Sequence, residues 1–209
     1  MIITYHGKQF FKLQQGETIV ALNPISKDSD FKDKVARFGS GIVLSSVNHP
    51  DYNGIETVTY GDQEPVAITG PGDYEVKDIF IKGILTKTEL DKKPYINTVY
   101  NMVLEGINIT VLGALNKTLE AGEREGAESP DILFVPVGDG KNGLLEPKDA
   151  YKLAVSLEPG IIIPTDYTDA SLKAFLKEAG AEKTESLDKL VLKKKDLADK
   201  QGEVVVLSY

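Results

Sequence analysis

The sequence predicts an α/β sandwich in which helices lie on the outer faces of two packed sheets. Three observations carry this. Short apolar runs separated by turn residues fill the first half, a continuous apolar run from Asp131 to Val137 opens the second, and from there strand-like runs alternate with helical periodicity. A chain of 209 residues with 41% hydrophobic and 27% charged side chains can bury such a core as one domain, residues 1–209. Folding at this size removes roughly 70% of the chain's surface from water.

Ile2 to Tyr5, Phe10 to Leu13, Thr18 to Leu22, Ile42 to Ser45 and Pro65 to Ile68 read as strands punctuated by Gly, Asn and Pro. Ile79 to Leu85, Thr98 to Leu104 and Ile107 to Leu112 follow, with Glu105-Gly106 as a tight turn and the polar Lys87 to Tyr95 stretch as an exposed hairpin tip. The run from Asp131 to Val137 does not alternate, as expected of a strand covered on both faces. Pro147 suits a first helical turn, and Ala150, Leu153, Ala154 and Leu157 recur at helical spacing until Pro159. Ile161 to Ile163 forms a second buried strand. Asp169 or Ser171 caps a second helix whose apolar side is Leu172, Phe175, Leu176 and Ala179, closed by Gly180. Lys189 to Leu192 and Glu203 to Leu207 read as a closing strand pair, its edge guarded by Lys193, Lys194 and Lys195.

Composition narrows the function. With 24 basic against 32 acidic side chains the net charge is -8, which repels a phosphate backbone and argues against a nucleic-acid partner. The absence of cysteine excludes a disulfide framework, thiolate-bound zinc, iron–sulfur clusters and a cysteine nucleophile. Met1 to Leu13 carries Tyr5, His6 and Lys8 among its apolar residues and so lacks the basic start and apolar run of a signal peptide; the expected location is cytoplasmic, with no membrane partner. There is no Gly-x-Ser-x-Gly elbow, dinucleotide fingerprint or His-Glu-x-x-His motif.

The stretch Ser45 to Gly54, directly after the apolar Ile42-Val43-Leu44, holds one imidazole and one carboxylate two residues apart, His49 and Asp51. From these residues alone the pair reads as ordinary turn chemistry, His49 packing or hydrogen-bonding and Asp51 capping the turn, or as a metal-free acid/base pair. Gly138 to Gly143 is a glycine-rich loop after a buried strand, either a surface loop or a phosphate-facing one, and it lacks the Gly-Lys-Ser/Thr ending of a nucleotide loop.

The Ser45 to Gly54 stretch is similar to the metal-binding loop of the metallo-β-lactamase superfamily, whose pattern is His-x-His-x-Asp-His after a short apolar strand. The likeness continues in order through Ile2 to Tyr5 with Gly7 and Phe10, Asn23-Pro24, the turn Gly70 to Val76, Leu112-Gly113, Asp131 to Pro136 and Ile163-Pro164. The chain resembles small bacterial Zn-dependent-hydrolase-like members related to the ascorbate-6-phosphate lactonase group. That resemblance implies a four-layer αββα sandwich with its site at one edge of the two sheets.

It also implies a degenerate metal site. The loop's first histidine falls on Val47, its second on His49, its aspartate on Asp51 and its last histidine on Tyr52. The family's bridging aspartate falls on Ala114, its final histidine on Asp166, and a further histidine near Thr86 to Thr88. Asn23 and Asn48 stand where the family commonly has aspartates. Hydrolytic zinc needs about three protein ligands and an open position, and Val47 and Ala114 have no lone pair to give. The expectation is therefore a pseudoenzyme or divergent homologue without a cofactor, in which a cleft lined by Val47, Tyr52 and Ala114 binds a small molecule or a protein partner or is simply filled. The alternative is a metal-dependent hydrolase of an ester, lactone or phosphoester, holding one divalent ion (Zn, Mn or Fe) on His49, Asp51 and Asp166, with Asp51 as its catalytic residue. A third expectation is a homo-oligomer formed through a sheet edge or the Lys87 to Tyr95 hairpin.

Overall fold

A computed structural model describes residues 1–209 except 32, 62–63, 128 and 141–142. The first five strands are β1 (Ile2–Tyr5), β2 (Phe11–Gln15), β3 (Thr18–Leu22), β4 (Ile42–Leu44) and β5 (Val66–Ile68). A meander follows, made of β6 (Gly72–Val76), β7 (Ile79–Leu90), β8 (Lys93–Leu104) and β9 (Ile107–Val111). The last part alternates the one-turn helix α1 (Ala121–Arg124), β10 (Ile132–Pro136), α2 (Pro147–Ser156), β11 (Ile161–Thr165) and α3 (Asp169–Glu178). The short strands β12 (Ser186–Leu187), β13 (Leu190–Val191), β14 (Glu203–Val204) and β15 (Val206–Leu207) complete it.

Two large sheets result, one in the order β13-β1-β2-β3-β4-β5 and one in the order β14-β11-β10-β9-β8-β7-β6. Period-two alternation explains their packing. In β1 and β2, Ile3, Tyr5, Phe11 and Leu13 point between the sheets and meet Ile81, Tyr100, Met102, Ile109, Phe134 and Ile163 from the facing sheet. The fully buried β10 and β11 show why their sequences do not alternate. Leu133, Val135 and Ile162 face the other way, onto Ala150, Leu153 and Ala154 of α2 and Phe175 of α3.

This is the sandwich that the resemblance implies, with one local difference. The outer face of the first sheet, Phe10, Ala21 and Val43, is covered by irregular chain carrying Ile25, Phe31, Val35 and Phe38 and by a 3-10 turn at Ile55–Thr57. Pro24 and Gly39 bound that segment. No helix among the described residues is long and apolar enough to cross a membrane.

Three local expectations change. The Lys87 to Tyr95 stretch is strand up to Leu90 and again from Lys93, so only Asp91 and Lys92 form the tip, both at positive φ. The final segments do not pair with each other: β13 adds antiparallel to β1, β14 runs parallel to β11, and β15 pairs with β12. Their two-residue lengths leave partner choice to tertiary packing. The cap of α3 is Thr168, which accepts from Ser171 N at 3.2 Å, while Ser171 Oγ donates to Val137 O at 3.2 Å and so ties the helix to the end of β10.

Candidate functional site

The loop after β4 is held from both sheets. Tyr100, fully buried, sends its hydroxyl 3.1 Å to both Ser45 O and Ile68 O. Thr98 N donates to Ser46 O at 2.8 Å, and Val47 makes an antiparallel bridge with Asn97. The loop then turns on itself through Tyr52 N to His49 O (2.8 Å) and Asp51 N to His49 Nδ1 (3.2 Å).

Beneath it lies a neutral polar floor. Asn23, buried at positive φ directly after β3, accepts from Ser46 N at 2.7 Å and donates to Gln9 Oε1 at 3.3 Å; Gln9 Nε2 donates to Gly113 O at 3.1 Å. From β8, Asn97 accepts from Ala114 N at 2.8 Å and donates to Leu112 O (3.0 Å) and Thr86 Oγ1 (2.8 Å). Thr88 Oγ1 donates to Ala114 O. The threonines near the expected histidine position thus serve as hydrogen-bonding floor groups.

The positions equated with lost ligands come together as hydrophobes. Val47, Tyr52 and Ala114 pack with Leu90 at the end of β7 and with Leu144, and Tyr95 lies against them. A Cβ on Gly143 would stand 2.5 Å from Glu89 O, so the end of the Gly138 to Gly143 loop lies directly on β7. Within that loop Gly138 N donates to Leu145 O at 2.6 Å; Lys141 and Asn142 are outside the described residues.

Of the three candidate ligands, two converge and one turns away. His49 has both ring nitrogens engaged, Nδ1 by Asp51 N and Nε2 3.4 Å from Asp91 Oδ2. Asp51 Oδ2 lies 3.1 Å and Asp166 Oδ1 3.6 Å from the Lys8 ammonium. The other oxygen of each carboxylate takes a hydroxyl: Asp51 Oδ1 accepts from Ser29, and Asp166 Oδ2 accepts from Tyr52 at 2.6 Å. Asp166, which follows β11, is only 6% exposed.

The electrostatics follow from this burial. Burial pushes the Asp166 carboxyl above its ordinary value, against the opposing pull of Lys8 and the Tyr52 hydroxyl. Burial also disfavours the charged Lys8, but Asp166 and Asp51 outweigh it and raise the ammonium's pKa. Burial, then the negative charge of Asp166, holds the Tyr52 phenol well above its usual range, which keeps it a donor. One ammonium and two carboxyl groups therefore meet at a single point.

As placed, these donors do not fit a two-zinc centre. Val47 and Ala114 offer no lone pair, His49 is committed to its neighbours, and an ammonium stands between the two carboxylates. Among the described residues no group of three or more His, Cys, Asp or Glu side chains is arranged to hold a metal ion. Sequence reasoning had no signal for Lys8, since a lysine in a β-turn reads as solvated. Asn97 had a weak one, because asparagine is depleted from strand interiors.

Comparison with known proteins agrees with the fold. A family profile described as a beta-lactamase superfamily domain matches residues 2–166. No curated protein matches the chain. A proposed Zn-dependent hydrolase of the metallo-β-lactamase superfamily from Thermotoga maritima is 26% identical, with a TM-score of 0.76 over 99% of this chain and 97% of that one. A proposed metal-dependent hydrolase from Parabacteroides distasonis is 17% identical, with a TM-score of 0.65 over 99% and 93%. The metallo-β-lactamase fold protein YhfI from Bacillus subtilis is 13% identical, with a TM-score of 0.61 over 99% and 96%. With most of its length matched by the family profile and the two-sheet sandwich in place, the chain belongs to the metallo-β-lactamase superfamily.

Proposed function

We propose that this protein is a non-catalytic, divergent member of its superfamily that works by binding a small molecule or a protein partner. The observation that carries the non-catalytic part of this reading is the filled cleft. Val47, Tyr52 and Ala114, at positions equated with metal ligands, pack with Leu90 and Leu144 where a hydrolase needs ligands, an ion and an attacking water. The neutral floor of Gln9, Asn23 and Asn97 supports it, because buried aspartates without a cation would repel one another at a desolvation cost of several kcal/mol per ion. The absence of cysteine fits a reducing, cytoplasmic setting.

Elemental analysis of untagged protein purified without chelators, followed by calorimetric titration with zinc and manganese, tests the reading. It expects no copurifying metal and no binding below about 1 mM, corresponding to roughly -4 kcal/mol. One or two tightly held ions would overturn it.

A second reading is favoured by one observation: Asp51 and Asp166 do converge on a single point. It makes the protein a mononuclear metal-dependent hydrolase of an ester, lactone or phosphoester, in which an ion must displace Lys8 and reorient His49. Activity lost on chelation, restored by manganese and absent from Asp51→Ala would establish it.

A further inference from the structure

The turn between β1 and β2 delivers Lys8 by a rigid construction. Lys8 lies at φ 53° and Asp166 at φ 51°, both in the left-handed region that side chains rarely adopt. The two are locked together at the backbone: Asp166 N donates to Lys8 O at 2.7 Å, and the Tyr5 hydroxyl donates to the same carbonyl at 2.9 Å. The Lys8 ammonium thereby reaches one oxygen of each carboxylate, and the remaining oxygen of each is taken by the Ser29 or Tyr52 hydroxyl. Two carboxylates, one cation and two hydroxyl donors make a closed set.

We infer that the Lys8 ammonium is the resident cation of this cleft, and that it masks a latent site for a hard divalent cation of the manganese or magnesium class. The two oxygens it holds, Asp51 Oδ2 and Asp166 Oδ1, are the kind of ligands such ions select, and a truncated lysine would leave room for the water such ions keep. The aliphatic stem and charge of Lys8 fill the place where those oxygens meet, so cation binding and the lysine exclude each other. The inference rests on the reading of the wild-type cleft as metal-free and deepens it by naming the group that keeps metal out.

The test compares wild type, Lys8→Ala and the triple variant Lys8→Ala/Asp51→Asn/Asp166→Asn in chelator-treated buffer. Thermal midpoints are taken with and without millimolar manganese chloride, and manganese is titrated by calorimetry. Lys8→Ala should melt lower than wild type, because its removal leaves the buried Asp166 and the half-buried Asp51 carboxyl groups facing one another without a cation. Manganese should raise its midpoint and bind it at least roughly tenfold more tightly than wild type. The triple variant should recover part of the lost midpoint and ignore manganese. An unchanged midpoint in Lys8→Ala, no gain in manganese affinity, or a triple variant that is no better than the single one each overturns the inference. If Lys8→Ala does not fold, refolding yield becomes the readout: manganese-dependent recovery supports the inference and equal failure with and without the ion overturns it. Tight metal in the wild-type protein would sink the non-catalytic reading, whereas a manganese-indifferent Lys8→Ala beside a metal-free wild type sinks only the present inference.

Discussion

Tyr52→Phe isolates a single hydroxyl at the centre of the site. The Tyr52 ring is 3% exposed and packs with Val47, Leu90, Ala114 and Leu144, contacts that phenylalanine keeps. What disappears is the 2.6 Å bond to Asp166 Oδ2. Hydrogen bonds to charged groups contribute about 1.5–3 kcal/mol, and a value near the middle of that range applies to this one bond. The expected loss is about 2 kcal/mol. For a domain of this size each kcal/mol shifts the midpoint by about 2–4 °C, giving a drop of about 4–8 °C. Urea unfolding at pH 7 should show a lower midpoint with an unchanged slope, because the exposed surface is the same. A loss below about 0.5 kcal/mol, the size of an ordinary surface change, would refute the idea that Asp166 depends on this donor.

Asn97→Leu removes the acceptor of Ala114 N and the donor to Leu112 O and Thr86 Oγ1. It should cost about 3 kcal/mol in urea unfolding, since each buried orphan costs about 1–3 kcal/mol; a loss under about 1 kcal/mol would contradict the floor's role. Gly113→Ala places a Cβ 2.3 Å from Asn97 Oδ1 and 2.6 Å from Ser46 Cβ at φ +65°, and should lose about 2–4 kcal/mol, read as a fall in thermal midpoint; a neutral result would contradict the close approach. His6 has Nε2 buried without a partner, and burial, then Lys12, hold its pKa down from 6.5 to about 4. Between those values the unfolded chain takes a proton the folded chain refuses, so stability is full above pH 6.5 and falls as pH drops toward 4. Discounted for the ring's partial exposure, the wild type should lose about 1–2 kcal/mol more than His6→Phe between pH 7 and 4.5. Parallel pH profiles would refute it.

The main strands were legible because burial imposes a period of two on β1 and β2 and abolishes it in β10 and β11. The length of the β7–β8 hairpin was not. Its buried side near the tip carries Thr86 and Thr88, polar residues that look solvated in sequence yet bond to Asn97 O and Ala114 O. The strand ends after Glu185 were misassigned to one another because two-residue strands carry too little pattern to specify partners. At the site, Val47, Tyr52 and Ala114 could be singled out only through family resemblance, since their apolar character alone marks them as core. Lys8 was invisible, because its role depends on a carboxylate from after β11 and another from the loop after β4, both far from it in sequence.

The amides and the lysine are parts of one change. Ser46 N–H, Asn23, Gln9 and Gly113 O form a relay with a single polarity, each member donating to the next. An aspartate at position 23 could accept from Ser46 N but could not donate to Gln9. Gln9 would then have to turn its amide nitrogen toward the aspartate and its oxygen toward Gly113 O, setting two acceptors against each other. The relay therefore needs asparagine once no cation is present to stabilise an aspartate. The neighbouring Ala114 adds no carboxyl group, so those that face Lys8 are Asp51 and Asp166. One ammonium and two hydroxyls match that remainder oxygen by oxygen, whereas a floor with additional aspartates would exceed what Lys8 can balance. Restoring a carboxylate at position 23 or 114 by itself should consequently damage the fold before it restores any metal affinity.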